Sequence, residues 1–217
     1  MRYAISDIHG CYKTFTTLLN KLVDPTKIYI IGDCIDRGRD SKKIIDFIMK
    51  RSDITVVEGN HENMFKNAIL KPRMCAQFWL KYGGVETMRS FGYKSIDGLR
   101  NIPQKYIKWL SSLKPIIHLR DYILVHAGID FSKEEPFALT EKNINTLLFD
   151  YGQPVDFKKS GKRKLIVGHM PRRIHEIKES IRTTKIEIDG GCIFESFRNL
   201  VAFNMDTNDL IIQNKID

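Results

Sequence analysis

A chain of 217 residues with 42% hydrophobic and 28% charged side chains can bury one substantial core, which excludes a disordered chain. No apolar run approaches the roughly 18 residues of a membrane span, and "MRYAISDIHG" has no signal-peptide core, so a cytoplasmic protein without membrane contact is expected, with 1–217 as a single domain. The net charge of +9 favours anionic partners, and Cys11, Cys34, Cys75 and Cys192, with no C-x-x-C pair, read as reduced thiols.

"RYAIS" predicts a short strand ended by Asp7. Phe15, Leu18, Leu19 and Leu22 then recur at helical spacing, predicting a helix over 12–23 that "DP" at 24–25 stops. "KIYII" (27–31) predicts a strand running into "GDCIDRG". Ser41 stands at the expected N-cap of a helix whose Ile44, Ile45 and Ile48 share one face. "ITVV" (54–57) predicts a third strand, ending in "EGNHE". Strand–helix–strand–helix–strand is the order of a parallel α/β sheet. Residues 62–113 read as mainly helical, with a break at "YGGVETMRSFGY" and a helix in "PQKYIKWLSSL". Strands follow in "PIIHL", "YILVH", "KLIVGH", "KIEID", "NLVAF" and "LIIQ". The segment 129–163 has few signals and is expected to form loops or a cap beside the site. Within it "KKSGKRK" places five cations in seven residues, read either as a solvated loop or as a docking surface for a polyphosphate, nucleic acid or acidic protein. No aromatic residues interleave with these cations, so nucleic-acid binding is not indicated.

The residues that follow each apolar run share a character. The first run delivers Asp7 and His9, the second Asp33, Asp36 and Arg37, the third Asn60 and His61. Later runs deliver His126 and His169. All lie at carboxyl ends of strands, where open α/β sheets place ligand sites. Each alone has a plainer reading: a histidine after a strand is usually structural, Asp33 and Asp36 can cap helices, and Arg37 can form a structural ion pair. Five such sets together make coincidence the poorer account. Carboxylate, imidazole and amide oxygen suit divalent manganese, iron or zinc. Asp7 and His9, two apart in an extended segment, can face one way, Asp33 can bridge, and Asn60, His126 and His169 can serve a second ion. Two metals about 3.5–4 Å apart bring the pKa of a shared water towards about 7 and neutralise a phosphoryl group. His61 beside them is placed as general acid, with Asp36 orienting it and Arg37 forking onto phosphate. "HENMF" lacks the second histidine of a zinc protease, "SGKRK" lacks the glycines of a phosphate-binding loop, and no G-x-S-x-G elbow occurs.

"DIHG", "GDCIDRG", "GNHE", "HAG" and "GH" resemble, in order and spacing, the motifs of the PPP-type serine/threonine phosphoprotein phosphatases, most of all the short bacterial and phage members of the calcineurin-like metallophosphoesterase superfamily. The resemblance runs from Asp7 to about Asn204 and implies an α/β fold, a central β-sandwich flanked by helices with a dinuclear metal site at the carboxyl ends of the strands. It implies Asp7, His9 and Asp33 on one metal, Asp33, Asn60, His126 and His169 on the other, a His61–Asp36 acid pair, and Arg37 on the phosphate. The implied cofactors are two divalent ions, manganese first, with iron or zinc as the other choices. Two departures stand out: Glu58 occupies a position where relatives often carry a base, and "LLFDYG" has Asp150 and Tyr151 where an arginine is common. Arg172 and Arg173 are the remaining candidates for that phosphate contact, against a solvent-facing role; Arg172 is taken as the substrate-binding one. "IDGG" replaces the Ile-Asp-Thr-Gly of relatives.

The resemblance and the aspartate of "CIDRG" together imply a phosphomonoesterase acting on phosphoserine or phosphothreonine in proteins and on small aryl phosphates, through attack of a metal-bridging hydroxide. The alternative is a symmetrical bis(5'-nucleosyl)-tetraphosphatase. A non-catalytic binding scaffold on the same fold is disfavoured because all six implied metal ligands are present. The partner is then a phosphorylated protein or phosphate ester, and the sequence carries no signal for oligomeric state.

Overall fold

The computed structural model describes residues 1–151 and 154–217. The chain runs β1 (Arg2–Ile5), α1 (Tyr12–Leu19), β2 (Lys27–Ile31), α2 (Ser41–Ile48), β3 (Ile54–Val57), α3 (Asn60–Leu70), α4 (Pro72–Trp79), α5 (Val85–Ser90) and α6 (Gln104–Ser112). It continues through β4 (Ile116–His118), β5 (Tyr122–Val125), α7 (Glu141–Phe149), β6 (Lys164–Val167), α8 (Ile174–Ser180), β7 (Lys185–Glu187), β8 (Asn199–Asn204) and β9 (Leu210–Asn214). A π-helical turn over Leu80–Gly84 joins α4 to α5, and a 3₁₀ helix covers Ile96–Asn101.

Two sheets result. The first has the order β3-β2-β1-β8-β9, the second β4-β5-β6-β7. β1, β2 and β3 pair in parallel, as predicted from the alternation of strands and helices. β8 pairs antiparallel with β1 and β9 with β8. In the second sheet β5, β6 and β7 are parallel and β4 is antiparallel to β5.

β1, β2, β3, β5 and β6 read as largely apolar runs because most of their residues are buried. Successive side chains point to opposite faces. Thus Tyr3, Ile5, Ile28 and Ile30 pack with Phe15, Leu18, Ile44 and Ile45 of the helices. Their alternates Ala4 and Ile31 meet Leu124, Ile166 and Ile186 of the other sheet. That second cluster is the interior of a sandwich. The outer face of the second sheet, Ile123, Val125, Leu165 and Val167, is covered by Phe131 and Leu147. The architecture is the α/β sandwich flanked by helices that the resemblance implied.

Three local expectations shift. α1 ends at Leu19, because Lys21 and Leu22 donate to Leu18 and Leu19 three residues back and tighten the chain out of the α-helix. α2 begins at Ser41 with Asp40 as N-cap, and the Ser41 hydroxyl instead accepts the Asp36 N–H at 3.1 Å. The segment 129–163 contains a helix, α7, started by Thr140, whose hydroxyl accepts the Asn143 N–H at 3.3 Å. Leu147 and Leu148 bury one side of it, and Leu147 O accepts the Ala127 N–H at 2.9 Å. Residues 152–153 of that segment lie outside those described. No described helix is long and apolar enough to cross a membrane. Cys11, Cys34 and Cys192 are buried free thiols, and Cys75 is a half-buried one.

Candidate metal centre

The parallel strands β1, β2 and β3 of the first sheet and β5 and β6 of the second each hand over to a turn that carries the side chains singled out above. The turns are stitched together by backbone bonds: Asp7 N–H to Gly32 O (3.3 Å), His9 N–H to Asp33 O (2.9 Å) and Gly168 N–H to His126 O (2.9 Å). Left-handed backbone is concentrated there. Asp7, His9, Asp33, Asp36, Arg37 and His169 all have φ between 45° and 70°. Such conformations cost an ordinary residue on the order of 1–2 kcal/mol each, and strain of this kind clusters at functional sites.

Asp33 lies at the middle. Its Oδ2 is 3.4 Å from His126 Nε2, 3.7 Å from His9 Nε2 and 3.8 Å from His61 Nε2. Its Oδ1 accepts the His61 N–H at 3.1 Å, one of the free amides at the start of α3. Carbonyl oxygens orient two of the rings. His9 Nδ1 donates to Ile35 O at 2.9 Å and His126 Nδ1 to Ile31 O at 2.8 Å, which turns both Nε2 atoms inwards. Gly32 makes room for the second ring: at φ +78°, a Cβ there would stand 2.5 Å from His126 Nδ1. His126 Nε2 also meets His169 Nδ1 at 3.1 Å and Asn60 Oδ1 at 2.9 Å.

Lone pairs therefore converge. With its oxygen inwards, the Asn60 amide faces a carboxylate and an imidazole; turned over, its NH₂ would reach both Asp33 oxygens at 3.1 Å and His126 Nε2 at 2.9 Å. The titration directions show the same competition for positive charge. Burial opposes a charge on His126, yet the adjacent Asp33 carboxylate raises its pKa to about 10. Burial raises Asp7 to about 7. Burial, then His126, lowers His169 to about 4, and burial with Arg37 holds His9 well below its usual range. Buried charges of this kind need a partner. Two groups, His9–Asp33–His61 and Asp33–His126–His169, hold their ligand atoms within 4.8 Å of one another and share Asp33. Carboxylate, imidazole and amide oxygen fit divalent transition metals, and the two groups sharing Asp33 are consistent with a dinuclear centre. Asp7 is in neither group; its Oδ2 takes the Ser6 hydroxyl and the His169 N–H (3.0 Å), and His61 lies with His9 and Asp33 in the first.

His61 faces two ways. Nδ1 is 2.7 Å from Asp36 Oδ2, and Nε2 is buried without a hydrogen-bond partner. Burial works against its charge, but Asp33 and the Asp36 bond raise its pKa. Asp36 is itself held by Trp79 Nε1 (2.9 Å) and by its N–H to the Ser41 and Thr87 hydroxyls (3.1 and 2.9 Å). Arg37 Nη1 donates to His9 Nε2 at 2.8 Å, and its guanidinium lies over Phe194, 5.0 Å from the ring centre.

Arg172 is not brought to this cluster: its Nη2 donates to Glu187 at 2.9 Å. Glu58 is buried and pairs with Lys66 and with Asn63 Nδ2 (3.1 Å), so its charge is balanced within α3. Two supporting residues escape a reading of strand ends. Glu62 accepts the N–H groups of Asp33, Cys34 and Gly59 at 2.8, 2.8 and 3.1 Å, clamping two strand ends to α3. Its signal was present, since an acid three residues past an N-cap reaches back to it. Trp79 lies 43 residues from Asp36 and has no such local signal.

The family model described as calcineurin-like phosphoesterase matches residues 3–208. A symmetrical bis(5'-nucleosyl)-tetraphosphatase of Buchnera aphidicola subsp. Schizaphis graminum is 35% identical over 149 residues, 63% of this chain and 49% of that protein. The asymmetrical bis(5'-nucleosyl)-tetraphosphatase PrpE of Bacillus subtilis is 26% identical over 216 residues, 88% of this chain and 85% of that protein. The structure of a protein serine/threonine phosphatase from Saccharomyces cerevisiae shares the fold, with a TM-score of 0.63, 16% identity, and coverage of 100% of this chain and 80% of that one. The chain spans about half the length of the symmetrical tetraphosphatases it matches.

Proposed function

Since the chain belongs to the calcineurin-like phosphoesterase family, we propose that this metal-dependent phosphoesterase hydrolyses the phosphoanhydrides of nucleotides, with dinucleoside tetraphosphates as its substrate class. The observation that carries a hydrolytic reading is the sharing of Asp33 between two groups of metal-ligating side chains, all buried except the half-buried His169. The similarity to tetraphosphatases of both the symmetrical and the asymmetrical kind supports the nucleotide substrate over the phosphoprotein that "CIDRG" favoured.

In this reading Asp7, through the oxygen not bonded to Ser6 and His169, would join His9 and Asp33 on one ion, manganese by preference, with His61 beside it as proton donor, and Asp33, Asn60, His126 and His169 would hold the other. When bound, the ions acidify a water and neutralise phosphoryl oxygens. The chain's own residues do the rest. Arg37, whose guanidinium lies over Phe194, gives up its bond to His9 Nε2 when that nitrogen takes the ion, and offers its N–H groups to phosphate oxygens. His61 carries a proton on Nε2, and Asp36 on Nδ1 keeps it charged and aimed. An imidazolium is a poor metal ligand but a good proton donor to a leaving oxygen. The burial of His61, Asp33 and Asp36 excludes water from that transfer.

A second reading, a phosphomonoesterase acting on phosphoserine or phosphothreonine, is favoured by one observation, the Asp36–His61 contact at 2.7 Å. Steady-state assays of the manganese-loaded protein separate the two. Diadenosine tetraphosphate is expected to show a kcat/KM at least about tenfold above that of a phosphoserine peptide, a difference of about 1.4 kcal/mol in transition-state binding. The opposite preference would establish the phosphoprotein reading.

A further inference from the structure

A cavity of about 490 Å³ opens on the side of Arg37 and is walled by Lys13, Arg39, Asp40, Ile193, Lys215 and Asp217. Its two carboxylates are already engaged. Asp40 pairs with Lys43 at 2.6 Å. Asp217 accepts the N–H groups of Lys13 and Thr14 at 2.7 and 3.3 Å and the Thr14 hydroxyl at 2.5 Å. Its cations are free: among the described residues Lys13, Arg39 and Lys215 form no ion pair, and Lys13 and Arg39 are exposed at the rim. Arg37 belongs to both places, lining the cavity and touching His9 of the ligand cluster.

A phosphate held by Arg37 is thus followed by three more cations, none of them in an ion pair among the described residues, against the single carboxylate of Asp217, which is held by N–H and hydroxyl donors. We infer that this cavity is the subsite for the polyphosphate beyond the reacting phosphoryl group, with Lys13, Arg39 and Lys215 as specificity-determining residues. The inference rests on the phosphoanhydride reading above and says how that substrate class is told from a monoester. A monoester has one phosphate, which reaches Arg37 and leaves the three cations unused. A polyphosphate extends its charges along them, in a concave wall that strengthens the local field.

The test is equilibrium binding by calorimetry, with free manganese held constant, of inorganic tripolyphosphate and of orthophosphate. The manganese-loaded protein is expected to bind tripolyphosphate at least about tenfold more tightly, since two or three exposed charge pairs each contribute a few-fold. In Lys13→Ala/Arg39→Ala that advantage is expected to fall to about twofold or less, with orthophosphate binding unchanged and each single substitution removing part of it. An advantage that survives in the double variant, or none in the unmodified protein, would overturn the subsite. Hydrolysis of diadenosine tetraphosphate is measured separately. Preferential tripolyphosphate binding, abolished by the substitutions, in a protein that leaves the dinucleotide intact would uphold the subsite and sink only the proposed substrate. Hydrolysis of the dinucleotide with no such preference would sink only the subsite.

Discussion

Asp33 accepts an α3 amide with one oxygen and faces three imidazoles with the other, whereas His61 joins the same cluster with one nitrogen and leaves it for Asp36 with the other. Their substitutions should therefore differ in kind. Asp33→Asn removes the only carboxylate common to both ligand groups and is expected to lose bound manganese together with turnover. His61→Asn is expected to keep its metal and to lower kcat by about 10²–10⁴-fold, the usual worth of a general acid. Metal analysis beside steady-state kinetics checks both. Equal metal loss in the two variants would make His61 a ligand, the role its place near His9 and Asp33 also permits. At this scale the convergence of Asp33, His9, Asn60, His61, His126 and His169 was legible, because each stands shortly after an apolar run. It could not tell which neighbour each side chain would take. Glu58 looked like a misplaced charge until Asn63 and Lys66, about one and two turns on along α3, were seen to hold it.

Elements explain why the turns can be so tight. Strands β1, β2 and β3 are short and buried on both faces, so the chain leaves the sheet abruptly and the next residues must turn at once. Gly32 shows the constraint. An alanine there would meet φ +78° and place its Cβ against the His126 ring that Ile31 O orients. Gly32→Ala is expected to lower the stability of the metal-free protein by about 1–3 kcal/mol, read as a shift in denaturation midpoint, and to weaken manganese binding in the same preparation. Unchanged midpoint and affinity would show that the ring has other room. Strand ends were legible because β-branched runs meet Gly, Asp and His without transition. The π-helical turn after α4 was legible only as a glycine-rich break. That Trp79 would close on Asp36, and Gly83 O on the Arg37 N–H (3.0 Å), depends on how α4 packs against α3, and no local periodicity encodes that.

Over the whole molecule, the cluster spans the sandwich. Asp33, His9, Asn60 and His61 come from the ends of the first sheet's strands, and His126 and His169 from the second's. Ions held by both sets would tie the sheets together, and a ligand present at 100 times its Kd stabilises the folded state by about 2.7 kcal/mol. The strand order that brings the two sets together was not legible, since β8 and β9 return to the first sheet after the second is complete. In the proposed reading one chain holds two ions through a shared Asp33. Native mass spectrometry of the protein reconstituted with manganese tests it most directly. A mass increment of two ions per chain is expected in the unmodified protein and fewer in Asp33→Asn. A natural chain that takes up no ion or only one, or an Asp33→Asn chain that still takes up two, would contradict it.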